Sequence, residues 1–338
     1  MTDQPPVDPG ATLQLGLAFW GSKTLLSAVE LGVFTTLAEG PQTREHLQTR
    51  LGLHPRAAAD FLDSLVALGM LDRTGPAYAN TLATAQFLDR NKPSYVGGIL
   101  EMANARLYPF WGALTAALET GRPQSEVARG EDFFGALYAN GEALAQFLRA
   151  MTGISMGVAL RLAESIRWDR YGSVADIGTA EGCVPVQIAL RHPHLSATGF
   201  DLPPVQPVFE KYVASFGLTE RVSFEAGDFF TDPLPRADVL VMGRILHDWG
   251  LDEKLELLRK AYEALPDGGS LIVYDTVLDD DRRENAFGLL MSLNMLIETD
   301  RGFDYTGRDC LGWLAQVGFR DGYVQPLVGP DSMVVAIK

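Results

Sequence analysis

The stretch Val241-Met-Gly-Arg244-Ile-Leu-His247-Asp248-Trp249 holds the residues of this chain best suited to chemistry. An aliphatic run stops at an arginine, and an imidazole, an acid and an indole follow. A free imidazole titrates near neutral pH, so a histidine at a strand end suits proton transfer. Only five histidines occur in 338 residues. His46 and His54 fall in a helical N-terminal part. His192 and His194 flank a proline in a loop, where solvated surface is the expectation. Other polar residues also close apolar runs: Asp176-Ile-Gly178, Asp201, Gly227-Asp228-Phe229 and Asp275.

The elements that would carry these residues begin near residue 172. "SVADIG", "SATGFDLP", "RVSFEAGDFF", "ADVLVMGRIL" and "SLIVYDTVL" read as strands. Between them "VPVQIALRHP", "VQPVFEKYVASFGL" and "DEKLELLRKAYEALPDGG" read as helices, the last closed by Gly268. This alternation predicts an α/β fold, a parallel sheet with helices on both faces. Ligands of such sheets sit at the carboxyl ends of the strands, where the polar residues above fall.

The turn "DIGTAEG" lacks the G-x-G-x-x-G pattern of dinucleotide sites, and no G-K-[ST] follows. Asp201 ends the second strand, where an acid can accept both ribose hydroxyls of an adenosine. Asp228 can accept from an adenine amino group, and Phe229 can stack on the ring. Each of these residues also reads as a turn former or helix cap. Together, an adenosine without a pyrophosphate cradle points to S-adenosylmethionine rather than NAD.

The first half is helical. Leu13, Leu17, Trp20, Leu25, Leu26, Val29 and Leu31 keep helical spacing over residues 11–40. Thr43 is placed to cap a short helix with Glu45 in its first turn. "HPRAAADFLDSLVALGML" sets Phe61, Leu62, Leu65 and Leu68 on one helix face, and "LDRTGPAYAN" has the Gly-Pro turn of a hairpin. Helix, turn, helix and wing suggest a winged-helix module. The first hundred residues hold seven basic and nine acidic side chains, which disfavours DNA binding and favours a dimerisation role. Between residues 104 and 168, Tyr108, Phe110, Trp111, Phe133, Phe134, Tyr138, Phe147 and Met151 suit a core or a pocket for a flat organic molecule.

The net charge of −15 argues against phosphate backbones and anionic membrane surfaces as partners. Cys183 and Cys310 are too few for a disulfide framework or a cysteine metal site, which fits a cytoplasmic protein. The N-terminus has no signal-peptide pattern, and its first ten residues read as a disordered tail.

The motifs "DIGTAEG", "FDLP", "GDFFTDPLPRAD", "RILHDW", "PDGGSLIVYDTVLDDD" and "SLNMLIETDRGFDYT" together resemble the S-adenosylmethionine-dependent O-methyltransferases of the plant caffeic-acid and animal hydroxyindole type, which also occur in bacterial secondary metabolism. The resemblance implies a Rossmann-like class I methyltransferase sheet over 169–338. It also implies a winged-helix-like, all-α dimerisation domain over 11–100, a helical linker and substrate region over 101–168, and a homodimer. The implied reaction is methyl transfer to a hydroxyl of a small aromatic acceptor, with His247 as general base. Asp275 and Asp304 match the acids that orient it, each one methylene shorter than the family's usual glutamate. Cofactor contacts carry over to Ser155, Asp176, Gly178, Asp201, Gly227, Asp228, Phe229 and Arg244. Acceptor contacts carry over to Phe147, Met151, Asp248, Asn294 and Glu298. Asp248 has a rival role as a cap for the helix near Leu251, and Trp249 is expected to pack on the adenine side. Glu181 either meets the cofactor's ammonium or faces water. No metal is expected, although His247, Asp275 and Asp304 would form a two-carboxylate, one-histidine set. N- or C-methylation, or a non-methylating reaction with the same cofactor, is the alternative.

Overall fold

The computed structural model describes residues 8–92, 94–130, 138 and 141–338. Phe133, Phe134 and residues 1–7 of the expected tail lie outside the described residues. The chain divides into two compact units, Met1–Pro109 and Phe110–Lys338. Among the described residues no helix is long and apolar enough to cross a membrane.

The first unit packs the helices Phe19–Glu30, Arg44–Leu51 and Pro55–Ala67 with a small antiparallel sheet. Its strands are β1 (Gln42–Thr43), β2 (Leu71–Thr74) and β3 (Ala77–Asn80), in the order β1-β3-β2. Thr43 caps its helix by accepting the His46 N–H, and His54 Nδ1 caps the next by accepting the Arg56 N–H. Gly75 supplies the left-handed backbone of the hairpin turn, φ +57°. Leu47, Leu62, Leu65 and Tyr78 form the core. Leu68 falls just past its helix and is exposed, unlike Leu62 and Leu65. The preceding segment leaves Leu13, Leu15, Leu17, Phe19 and Trp20 exposed.

The second unit holds seven strands: β4 (Ser173–Ile177), β5 (Ser196–Asp201), β6 (Val222–Ala226), β7 (Val239–Gly243), β8 (Ser270–Asp275), β9 (Arg320–Pro326) and β10 (Ser332–Ile337). Their order is β6-β5-β4-β7-β8-β10-β9. The first five are parallel, and β10 runs antiparallel to both β8 and β9. That C-terminal hairpin was absent from the expected alternation. Both faces of the sheet are covered, so the central strands are apolar throughout. Val239 and Val241 join the core on one face, Leu240 and Met242 that on the other. Strand order reverses between β4 and β7, which opens a crevice at their carboxyl ends. At the end of β7, a Cβ on Gly243 would fall inside the Tyr274 ring.

Candidate active site

The turn after β7 carries Arg244 at φ +55° and then one short helical turn, Leu246–Asp248. His247 is buried there. Its Nδ1 lies 3.4 Å from Asp304 Oδ1 and 3.7 Å from Asp275 Oδ1, and its Nε2 lies 3.6 Å from Asp248 Oδ1. These are ion-pair distances, longer than well-formed hydrogen bonds. Two shortened acids therefore share one ring nitrogen from opposite segments, the end of β8 and the approach to the helix Gly307–Val317. Each is held from behind: Tyr305 donates its hydroxyl to Asp275 Oδ2 at 2.7 Å, and Thr276 donates to Asp304 Oδ1 at 3.2 Å. His247, Asp275 and Asp304 each present one ligand-type atom within 4.8 Å of the others.

Burial alone would lower the His247 pKa, but the charges of Asp275, Asp248 and Asp304 overcome it and push it up to about 10. Burial raises Asp248 to about 6 against the pull of His247, and it raises Asp275 as well. The cluster thus shares its protons, and no single residue owns them. Asp248 does not cap the following helix, whose N-cap is Gly250 without a side-chain bond.

Across the crevice, the turn after β4 brings Asp176, Gly178 and Asp201 together. Gly178 has φ +72°, and a Cβ there would collide with Ile245. Thr179 donates its hydroxyl to Asp176 Oδ2 at 2.8 Å. Asp201 accepts the N–H of Ala180 at 2.9 Å and of Leu202 at 2.8 Å, with the Tyr138 hydroxyl at 3.5 Å. Burial raises Asp176 to about 7 and Asp201 to about 6, against these donors. Glu181 is buried rather than facing water.

Gly227 donates its N–H to the Asp201 carbonyl, and its missing Cβ makes room for the Phe200 ring. Asp228 Oδ1 accepts the Phe230 N–H at 2.8 Å, so this carboxylate shapes its own turn. Phe229 meets Phe230 and Trp249 edge to face, at 4.9 and 5.9 Å between ring centres. Arg244 pairs with Asp331 at 2.7 Å, and its buried Nε has no hydrogen-bond partner among the described residues. Ser155, on the helix Gly141–Ser165, shares a hydrogen bond with Tyr274.

Phe147 and Met151 lie half-buried on that same helix. Asn294 is committed at both ends of its amide, accepting from Trp111 Nε1 at 2.8 Å and donating to Glu298 Oε2 at 2.8 Å. Glu298 in turn raises Asp248 through its charge, which links this helix to the histidine cluster. Sequence reasoning missed Thr179, Thr276, Tyr305, Lys254 and Asp331 as partners of the site. His192 and His194 are not simply solvated: each ring nitrogen bonds a backbone carbonyl, of Ala163 and Trp168 respectively.

Comparison with known proteins identifies the family of the chain. Residues 111–320 match the family model of the O-methyltransferase domain, and residues 13–90 that of the O-methyltransferase dimerisation domain. The chain is 47% identical over 331 residues to the tetracenomycin polyketide synthesis 8-O-methyl transferase TcmO of Streptomyces glaucescens, covering 98% of this chain and 97% of that one. It is 36% identical to the N,N-dimethyltransferase OxyT of Streptomyces rimosus, covering 99% of this chain and 98% of that one. The crystal structure of human N-acetylserotonin methyltransferase with S-adenosylmethionine superposes with a TM-score of 0.90 at 28% identity, covering 100% of this chain and 99% of that one. The chain belongs to the S-adenosylmethionine-dependent O-methyltransferases.

Proposed function

We propose that this enzyme methylates a hydroxyl of a polycyclic aromatic metabolite of polyketide type, with His247 as general base. The observation that carries the base assignment is the imidazole held between Asp304 and Asp275 on one nitrogen, with the other nitrogen toward the crevice residue Asp248. A phenol is mostly protonated at neutral pH, so a positioned base contributes to its methylation. When bound, S-adenosylmethionine would supply an activated methyl on a sulfonium, and a cation in the crevice would favour the neutral imidazole that a base requires. The carboxylates then stabilise the imidazolium that forms as the hydroxyl proton moves to His247.

Asp201 at the ribose, Phe229 at the adenine and Arg244 at the amino-acid end would hold the cofactor. The unpartnered, buried Nε of Arg244 suits a carboxylate there. Ser155, Asp176, Gly178, Gly227 and Asp228 shape the same crevice. Phe147, Met151 and Glu298 would face the acceptor, and Asn294 would orient Glu298. Identity to a polyketide O-methyltransferase supports the acceptor class. The exposed apolar N-terminal segment supports a homodimer. A cytoplasmic location fits its reduced cysteines.

His247→Ala should lower kcat by about 10²–10⁴-fold on a phenolic polyketide while cofactor affinity holds. A mutant with the wild-type rate would sink the base assignment. A second reading, N-methylation, is favoured by the carboxylates of Asp248 and Glu298, which could hold an amine and take up the proton it must lose to attack the methyl group. Methyl transfer to an amine but not to any phenol of a matched panel would establish it instead.

A further inference from the structure

Lys254 lies on the helix Leu251–Ala264, on the buried face it shares with Leu257, Leu258 and Ala261, and it is 0% exposed. Burying an ammonium is costly unless its donors are used. Its Nζ donates to the backbone carbonyl of Trp249 and, at 3.1 Å, to that of Phe303. It also lies 3.5 Å from the centre of the Phe303 ring, with Tyr305 and Trp313 at 5.7 and 6.0 Å. A methionine would fill this aromatic box without burying a charge. The choice of carbonyls explains the lysine. Trp249 directly follows His247-Asp248, and Phe303 directly precedes Asp304. One ammonium ties the turn bearing the imidazole to the segment bearing its acid. The crossing is close-packed: a Cβ on Gly302 would lie 2.7 Å from the His247 carbonyl and 2.8 Å from that of Asp248.

We propose that Lys254 is a positioning residue for methyl transfer: its ammonium pins the His247 turn against the Asp304 segment, so that the imidazole stays beside its carboxylates. The charged and titratable groups facing this cluster are Asp248, Asp275 and Asp304, with Glu253 beside the lysine and Tyr305 and Cys310 behind it. Glu298 acts on Asp248, while Arg244 acts on Asp275 and Asp331 faces the histidine. Burial pulls Lys254 down to about 8 against the attraction of Asp275, Asp304 and Asp248, so the charged form still prevails at neutral pH. Without the two-carbonyl tie the imidazole sits less closely against Asp304 and Asp275, and its protonated form is less stabilised.

The inference rests on His247 as the base, and its test separates the two. The full chain carrying Lys254→Met or Lys254→Arg is assayed for kcat, acceptor KM and S-adenosylmethionine affinity. The His247 ring is titrated by NMR on labelled histidine, assigned through His247→Ala. In Lys254→Met, kcat should fall by about tenfold or more with cofactor affinity within about threefold. The imidazole midpoint should fall by roughly half a unit, and the acidic limb of kcat should move the same way. Lys254→Arg keeps the charge but not the two-carbonyl fit, so kcat and the midpoint both fall, each by less than in Lys254→Met. An unmoved or raised imidazole midpoint in Lys254→Met overturns the proposal. If that variant does not fold, wild-type kcat or an unmoved midpoint in Lys254→Arg overturns it, and reduced kcat with a lowered midpoint supports it. The titration reads the coupling of lysine to histidine whatever His247 does. Full activity in His247→Ala would remove the base reading alone.

Discussion

At the scale of single residues, the proposed reaction centre is a problem of proton ownership. Three carboxylates surround one imidazole, and the charge they impose outweighs the burial that would strip its proton. Removing one of them should change rate and pH dependence in a predictable way. Asp304→Asn deletes a negative charge next to Nδ1, so the imidazolium is less stabilised and its pKa falls. The acidic limb of kcat against pH should therefore shift to lower pH, in the same direction as in Lys254→Met and further. Because orientation is lost with the charge, kcat at its plateau should fall about tenfold or more. A limb that moves upward would show that Asp304 does not act on His247 electrostatically. The stability linkage runs in a definite direction as well. His247 has a folded pKa above its unfolded value near 6.5, so its contribution to stability is complete below about pH 6.5 and is lost as pH rises through about 10.

At the scale of elements, what could be read in advance depended on distance along the chain. Asp176, Gly178, Asp201 and Asp228 each fall within two residues of a strand's end, and a strand end is visible as an apolar run meeting a polar residue. The parallel alternation was legible for the same reason. The hairpin β9–β10 was not, because its pairing partner β8 lies far upstream and no local pattern announces an antiparallel return. Asp331, the partner of Arg244, was hidden with it, across 87 residues. Lys254 did leave a trace: a lysine on the apolar stripe with Leu257, Leu258 and Ala261 conflicts with a solvated role. Asn294 was visible as a helix neighbour of Glu298, yet its bond to Trp111 was not, since that contact joins residues 183 positions apart in the chain. Glycines are legible only as freedom, and the structure shows what the freedom is for. Gly243 lets the Tyr274 ring cross the end of β7, so Gly243→Ala should destabilise the protein by about 1–3 kcal/mol through overpacking. Chemical denaturation would measure it, and an unchanged midpoint would mean the ring relocates at little cost.

At the scale of the whole molecule, the exposed row Leu13, Leu15, Leu17, Phe19 and Trp20 is more apolar than a solvated helical segment needs to be. Covered in a homodimer, it would explain why a dimerisation domain precedes the catalytic unit. Trp20→Glu should shift the sedimentation coefficient from that of two chains to that of one, with the melting temperature reduced. A wild-type chain that already sediments as a monomer would end the dimer proposal. The catalytic sheet has a consequence of another kind. Its strand 332–337 follows every other strand in sequence, yet it lies inside the sheet between β8 and β9. During synthesis, the nascent chain therefore carries an open edge on β8 and an Arg244 without its ion-pair partner until those residues emerge from the ribosome. The ion pair that holds Arg244, the residue proposed for the cofactor's carboxylate, is therefore completed only after translation has passed the hairpin.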